Sequence, residues 1–178
     1  MKTPLNNQPH TAARLSYSTG PPRLFGRVLV EEKIPSRLSL KNELIARVLG
    51  VLKREGLVVD PQAQARWRLC LDEALVNAIV HGNNGDPRRY VSLRLMRGKS
   101  RWAVLVEDEG EGFDREALPG GSSPQALYAE SGRGVLLMRQ FVDAVRYYRG
   151  GSALMLVKSS RPGARRGRPR KGGRRRGA

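Results

Sequence analysis

Leu71-Asp72-Glu73-Ala74-Leu75-Val76-Asn77-Ala78-Ile79-Val80-His81-Gly82 is the stretch from which the rest of the chain can be read outward. Leu71, Leu75 and Ala78 recur at helical spacing and mark an apolar face. Glu73 and Asn77 are four apart, so they share an adjoining face of the same helix. An amide oxygen in that position can ligate Mg²⁺, which keeps several waters and takes its remaining ligands from nucleotide phosphates. A carboxylate one turn earlier can take a proton from an attacking hydroxyl. The same spacing also describes an ordinary polar pair on a solvated helix, and spacing by itself does not separate the two.

Upstream, Asp60-Pro61 supplies an N-cap with proline at the first helical position, which predicts a helix from Pro61 to about His81, closed by Gly82. Leu38, Leu40, Leu44, Ile45, Val48, Leu49 and Leu52 predict an earlier amphipathic helix ended by Gly56. Arg27 to Ile34 reads as a strand that Pro35-Ser36 breaks. Residues 1–24 mix Pro, Asn, Ser, Thr and Gly with few apolar anchors, so disorder is expected there, with folding from about Phe25.

Downstream, Tyr90 to Met96 and Trp102 to Val106 read as two strands of a hairpin turning at Arg97-Gly98-Lys99-Ser100. A third helix is expected at about Gly134 to Val142. A final hairpin, Ala144 to Tyr148 with Ala153 to Lys158, flanks Arg149-Gly150-Gly151-Ser152. The expected fold is α+β: a two-layer α/β sandwich whose mixed, mainly antiparallel sheet has about five strands, with three helices on one face.

At 178 residues and 39% apolar side chains, the chain can bury one core of ordinary domain size. One folded domain, 25–160, is expected between the N-terminal segment and a tail. No window approaches the roughly 18 uncharged apolar residues of a membrane span, and the N-terminus lacks a secretion signal, so a cytoplasmic protein is expected. The lone Cys70, between Leu69 and Leu71, reads as a buried reduced thiol. Of the net charge of +17, nine cations lie in residues 161–178, which hold no acid, leaving +8 for the rest.

Two further segments carry chemistry. Val104-Leu105-Val106-Glu107-Asp108-Glu109-Gly110-Glu111-Gly112-Phe113-Asp114 runs a strand into an acidic, glycine-interrupted loop. A carboxylate at a strand end can accept the amino group of adenine, and glycines at 110 and 112 let backbone approach a flat base. An exposed acidic turn is the plain alternative. A calcium loop is disfavoured because the alternating ligands and following glutamate are missing. Ser131-Gly132-Arg133-Gly134 precedes the expected helix of Val135, Leu136, Met138 and Phe141, offering unpaired amides and a positive dipole to an anion. Arg133 can add a charged contact to a terminal phosphate, although Gly-x-Gly before a helix also serves as a plain connection. The long segment from Asp108 to Arg133 is a candidate functional loop.

Taken together and in order, the three segments resemble the N, G1 and G2 boxes of the GHKL superfamily of ATPases and kinases. Within it, EALVNAIVHGN, VEDEGEGFD and GRGVLLMRQFVD are similar to the anti-sigma-factor serine/threonine kinases, over about Val28 to Lys158. The resemblance implies the Bergerat, or histidine-kinase-like ATPase, fold and a kinase using ATP and Mg²⁺. It implies Glu73 as general base, Asn77 as Mg²⁺ ligand and Asp108 as reader of adenine. Gly110 and Gly112 would line the base, and Gly132, Arg133 and Gly134 would hold phosphate beneath a lid. Ser152 would support the adenine site through water. It also implies a homodimer whose partners are a sigma factor and an anti-sigma-factor antagonist, the latter phosphorylated on serine.

Other branches fit less well. A sensor histidine kinase needs a phosphoacceptor histidine on an upstream helical domain, and only His10 and His81 are present. Topoisomerase, mismatch-repair and chaperone relatives couple ATP to a following domain, whereas the folded part here is expected to end by about residue 160. Two further readings stay open: an ATP-sensing module without phosphotransfer, and a DNA-associated protein. The second rests on Arg166-Gly167-Arg168-Pro169-Arg170-Lys171, which resembles the core of an AT-hook entering the minor groove of A·T-rich DNA. A polycation that contacts DNA or RNA without sequence preference, or that serves only solubility, is the simpler account of that tail.

Overall fold

A computed structural model describes residues 13–112 and 130–160 of the chain. Six strands form one sheet: β1 Arg14–Tyr17, β2 Arg27–Pro35, β3 Tyr90–Arg97, β4 Arg101–Glu107, β5 Ala144–Tyr148 and β6 Ala153–Ser159. Their order across the sheet is β1-β5-β6-β4-β3-β2. Only β1 with β5 is parallel; the other neighbours are antiparallel. Three helices, α1 Leu38–Arg54, α2 Pro61–Val76 and α3 Glu130–Phe141, lie on one face.

That face buries Leu44, Ile45, Val48 and Leu52 of α1 and Trp67, Leu71 and Leu75 of α2 against Leu93, Val104, Val106 and Leu156 of the sheet. Trp67 and Trp102 pack ring on ring at 4.4 Å. The opposite face has its own cluster of Met96, Ala103, Leu105, Ala153, Met155 and Val157, against which Phe25 and Tyr148 pack. The central strands β4 and β6 are therefore apolar on both faces, which is why Trp102–Val106 and Ala153–Val157 read as unbroken apolar runs. Cys70 is buried as expected, and burial pushes its thiol up to about 12. Among the described residues no helix is long and apolar enough to cross a membrane.

Local signals behave as physical chemistry requires. The Asp60 carboxylate accepts the Ala63 N–H at 2.7 Å, capping α2 ahead of Pro61. Gly56 takes φ +65° just past α1, a conformation that spares it the Cβ clash of other residues. Gly98 N–H reaches Arg101 O at 2.8 Å in the β3–β4 turn.

Three expectations need correction. The sheet has six strands rather than about five, because Arg14–Tyr17 pairs with Ala144–Tyr147 inside the segment expected to be disordered. A four-residue strand carries no local signal; what holds it is a remote partner, including Tyr17 stacked on Tyr147 at 5.4 Å. Next, α2 does not continue to His81 as an α-helix, since Asn77–Gly82 widens into a π turn in which Asn83 N–H reaches back to Ala78 O at 2.9 Å. Finally, α3 begins at Glu130, so Ser131 to Gly134 falls in its opening turns instead of preceding it. Two glycines in five residues argue against helix by propensity, and packing of α3 on α2 overrides that.

Candidate functional site

The two helix-borne motifs and the acidic turn meet around the C-terminal end of α2. Glu73 sits on its last turns, half-buried, and Gly134 of α3 lies directly against it: a Cβ added at Gly134 would fall on the Glu73 carboxylate. A larger residue there would displace the Glu73 carboxylate from its present position. Asn77, half-buried, is the first residue of the π turn, one turn beyond Glu73, and its N–H is shared between Ala74 O and Glu73 O. Gly132 and Arg133 lie in the first turn of α3, where helical amides have no intrahelical acceptor. The side-chain position of Arg133, and the segment 113–129 in which the expected lid falls, lie outside the described residues, as does the tail 161–178.

Asp108 follows β4 and points at the end of the π turn. A Cβ at Gly82 would overlap the Asp108 carboxylate, and one at Gly110 would overlap the Gly82 carbonyl, so the π turn and the acidic turn are in direct contact where glycine leaves no side chain between them. The Asp108 N–H donates to Ser152 O at 2.9 Å, and its carboxylate accepts the Gly110 N–H at 2.9 Å. Burial raises the Asp108 carboxyl to about 6, against the opposing pull of the Gly110 N–H and of the Arg89 charge. A carboxylate kept partly dry beside bare backbone suits a flat ligand edge that carries a hydrogen-bond donor. Gly112, at φ +84°, packs on the Gly150 carbonyl of the Arg149–Gly151 turn, extending the same floor. Ser152 is buried, with its hydroxyl donating to Arg149 O at 3.2 Å.

Neighbouring charge is tied down. Glu109 accepts the Tyr90 N–H at 2.9 Å and pairs with Lys33 at 3.1 Å, and the first of these contacts, then the second, hold its carboxyl below the usual range. Arg94 bridges Glu31 and Glu107 at 2.6 and 2.7 Å, and Arg149 approaches the other Glu107 oxygen at 3.3 Å. Lys41 on α1 meets Asp72, the residue before Glu73, at 2.5 Å. Asp108 is thus the carboxylate of this region that keeps a raised affinity for protons.

Sequence reasoning had singled out Glu73, Asn77, Asp108, Gly110 and Gly134. It missed Gly82, read only as a helix stop, and Asn83, which is fully buried. Asn83 donates to Ser36 Oγ at 2.6 Å and to Tyr90 O at 2.9 Å, and accepts the Glu109 N–H at 2.8 Å. An asparagine after a glycine at a helix end reads as a capping residue, and nothing local announces partners 47 and 26 positions away.

The chain is similar to known proteins. Residues 34–158 match the model of a family described as the histidine kinase-like ATPase domain. The serine-protein kinase RsbW of Bacillus subtilis is 28% identical over 123 residues, which is 66% of this chain and 76% of that protein. The anti-sigma F factor of Geobacillus stearothermophilus is 30% identical over 107 residues, or 59% of this chain and 73% of that one.

Proposed function

From the premise that the chain belongs to the histidine kinase-like ATPase domain family, we propose that it is a Mg²⁺- and ATP-dependent protein serine/threonine kinase acting as an anti-sigma regulator. The observation that carries the nucleotide part is the half-buried Asp108 carboxylate packed against the bare backbone of Gly82 and Gly110, where a Cβ would collide with that carboxylate or with the Gly82 carbonyl. Ionised Asp108 accepts the exocyclic amine of adenine, and Gly110 and Gly112 allow the base to lie on backbone. Ser152 steadies that wall by accepting the Asp108 N–H at 2.9 Å.

The α3 N-terminus, with Gly132 and Arg133 in its first turn and Gly134 directly behind them, faces the phosphates with its first amides and the positive end of its dipole. The donor set at the end of α2 fits Mg²⁺, since one amide oxygen, Asn77, leaves room for the waters and phosphate oxygens that this hard cation prefers. Mg²⁺ bound there neutralises charge on the transferring phosphoryl group. Glu73 takes the proton of the attacking hydroxyl and is held toward the phosphate end because Gly134 seats α3 on it.

The relatives' names, a serine-protein kinase and an anti-sigma F factor, support a sigma factor as partner and serine as the phosphorylated residue; the resemblance of the sequence motifs adds an antagonist protein as substrate and a homodimer. The arginine-rich tail adds a nucleic-acid contact of its own.

The test is calorimetric titration of Mg²⁺-ATP into the wild type and Asp108→Asn, at salt high enough to suppress non-specific attraction to a chain of net charge +17. Binding that is lost in a folded Asp108→Asn is the expected result. A folded wild type that binds no ATP, or an Asp108→Asn variant that binds as tightly, overturns the reading.

A further inference from the structure

Asp108 is only as useful as its placement, and its peptide is anchored on both sides. On one side its own N–H is bonded to Ser152 O. On the other, the next N–H, of Glu109, donates to Asn83 Oδ1 at 2.8 Å. Asn83 follows Gly82 directly, so one turn of chain supplies both the surface that the carboxylate rests on and the acceptor that pins its neighbour.

The amide of Asn83 has one orientation open to it. Glu109 N–H can only donate and Tyr90 O can only accept, so Oδ1 must face the first and Nδ2 the second. The second amide hydrogen goes to Ser36 Oγ at 2.6 Å, and the backbone N–H of Asn83 goes to Ala78 O at 2.9 Å. With no exposed surface and every donor engaged, the side chain cannot rotate without stranding buried polar groups. It thereby joins four pieces of chain: the β2–α1 junction, the π turn, the start of β3 and the acidic turn after β4.

We propose that Asn83 is a positioning residue for base recognition, holding the Asp108–Glu109 peptide so that the Asp108 carboxylate meets the amino edge of adenine. The inference rests on the nucleotide reading above. Asn83 touches no ligand atom in this scheme; it acts through Asp108. Its loss therefore removes selectivity for the exocyclic amine while the phosphate-binding end of α3, more distant in the chain, continues to bind a triphosphate.

The experiment compares the affinities of the full chain for ATP and for purine riboside triphosphate, which has hydrogen in place of the 6-amino group. Wild type is expected to prefer ATP by roughly ten- to a hundredfold, the range of one hydrogen bond to a charged group. In Asn83→Ala the preference falls to within about threefold of unity, while purine riboside triphosphate binds as before. Asn83→Ser gives the same loss with less strain on the fold, because a hydroxyl leaves room for a water at the stranded N–H. Ser36→Ala removes a hydrogen bond of the same cluster without freeing the Glu109 N–H and retains all of the preference. Preference that survives in folded Asn83→Ala and Asn83→Ser, or that drops equally in Ser36→Ala, overturns the positioning role. A wild type that binds both nucleotides equally, or neither, overturns the nucleotide reading beneath it.

Discussion

Replacing Asp108 by Asn is expected to make the nucleotide-free protein more stable while removing its ligand. Burial has moved this carboxyl from its ordinary 3.8 to about 6, which at about 1.4 kcal/mol per tenfold in proton affinity is an opposition to ionisation of about 3 kcal/mol. The group is only half-buried, so water screens part of that, and ~1.5 kcal/mol is the more realistic figure. The sign follows from linkage. The folded protein holds this proton more tightly than the unfolded chain does, so the favourable contribution is complete below pH about 4 and is lost as pH rises through 6. Asparagine is neutral throughout and keeps an oxygen for the Gly110 N–H. Its advantage should therefore be ~1.5 kcal/mol at pH 7.5, roughly 5 °C in Tm for a domain of this size, and a few tenths of a kcal/mol at pH 4. Removing one negative charge from a chain of net charge +17 works the other way, but at physiological salt that spread-out repulsion is weak. Thermal unfolding followed by circular dichroism at the two pH values is the assay. An Asp108→Asn protein no more stable than wild type at pH 7.5, or one whose advantage is equal at both pH values, would refute the argument that the carboxylate is held against its solvation preference.

Four more outcomes are expected. ATP affinity should rise with pH through about 6 as Asp108 ionises, and the profile should be flat over that range for Asp108→Asn in whatever binding persists. Glu73→Gln should leave Mg²⁺-ATP affinity within about twofold while lowering phosphotransfer to an antagonist protein by roughly 10²- to 10⁴-fold; unchanged transfer would remove Glu73 as the base. Gly110→Ala, whose Cβ would meet the Gly82 carbonyl, should cost about 1–3 kcal/mol of stability by denaturant titration and abolish ATP binding. Tyr17→Ala, which strips the aromatic stack between β1 and β5, should cost about 2–3 kcal/mol and unchanged stability would mean that β1 adds nothing to the domain.

Much of the architecture was legible because its signals are short-range. The Asp60-Pro61 cap, the Gly56 stop, the period of α1 and the apolar runs of β4 and β6 each announce themselves within a few residues. The segment β1 was not, because Arg14–Tyr17 is a strand only by virtue of Ala144–Tyr147 lying beside it. The π turn was hidden for a related reason: Ala78 and Ile79 continue the apolar face of α2, and the wider hydrogen bonding of Asn77–Gly82 accompanies Gly82 packed on Asp108 and Asn83 reaching the acidic turn. The start of α3 went unread because glycine propensity is a local cost, while its compensation is contact with α2.

For the site, the chain by itself determined which residue types are present and how they are spaced: a carboxylate and an amide one turn apart on α2, an aspartate at the end of β4, glycines where backbone must be bare. These are properties of adjacent residues, and helical or strand geometry makes them readable. Tertiary structure alone decided that Gly134 would meet Glu73, that Gly82 and Gly110 would close on Asp108, and that Asn83 would hold the Glu109 amide. Asp108 acquired its raised proton affinity there too, since the cost of ionising a carboxylate depends on what displaces its water, and that is settled by segments remote along the chain.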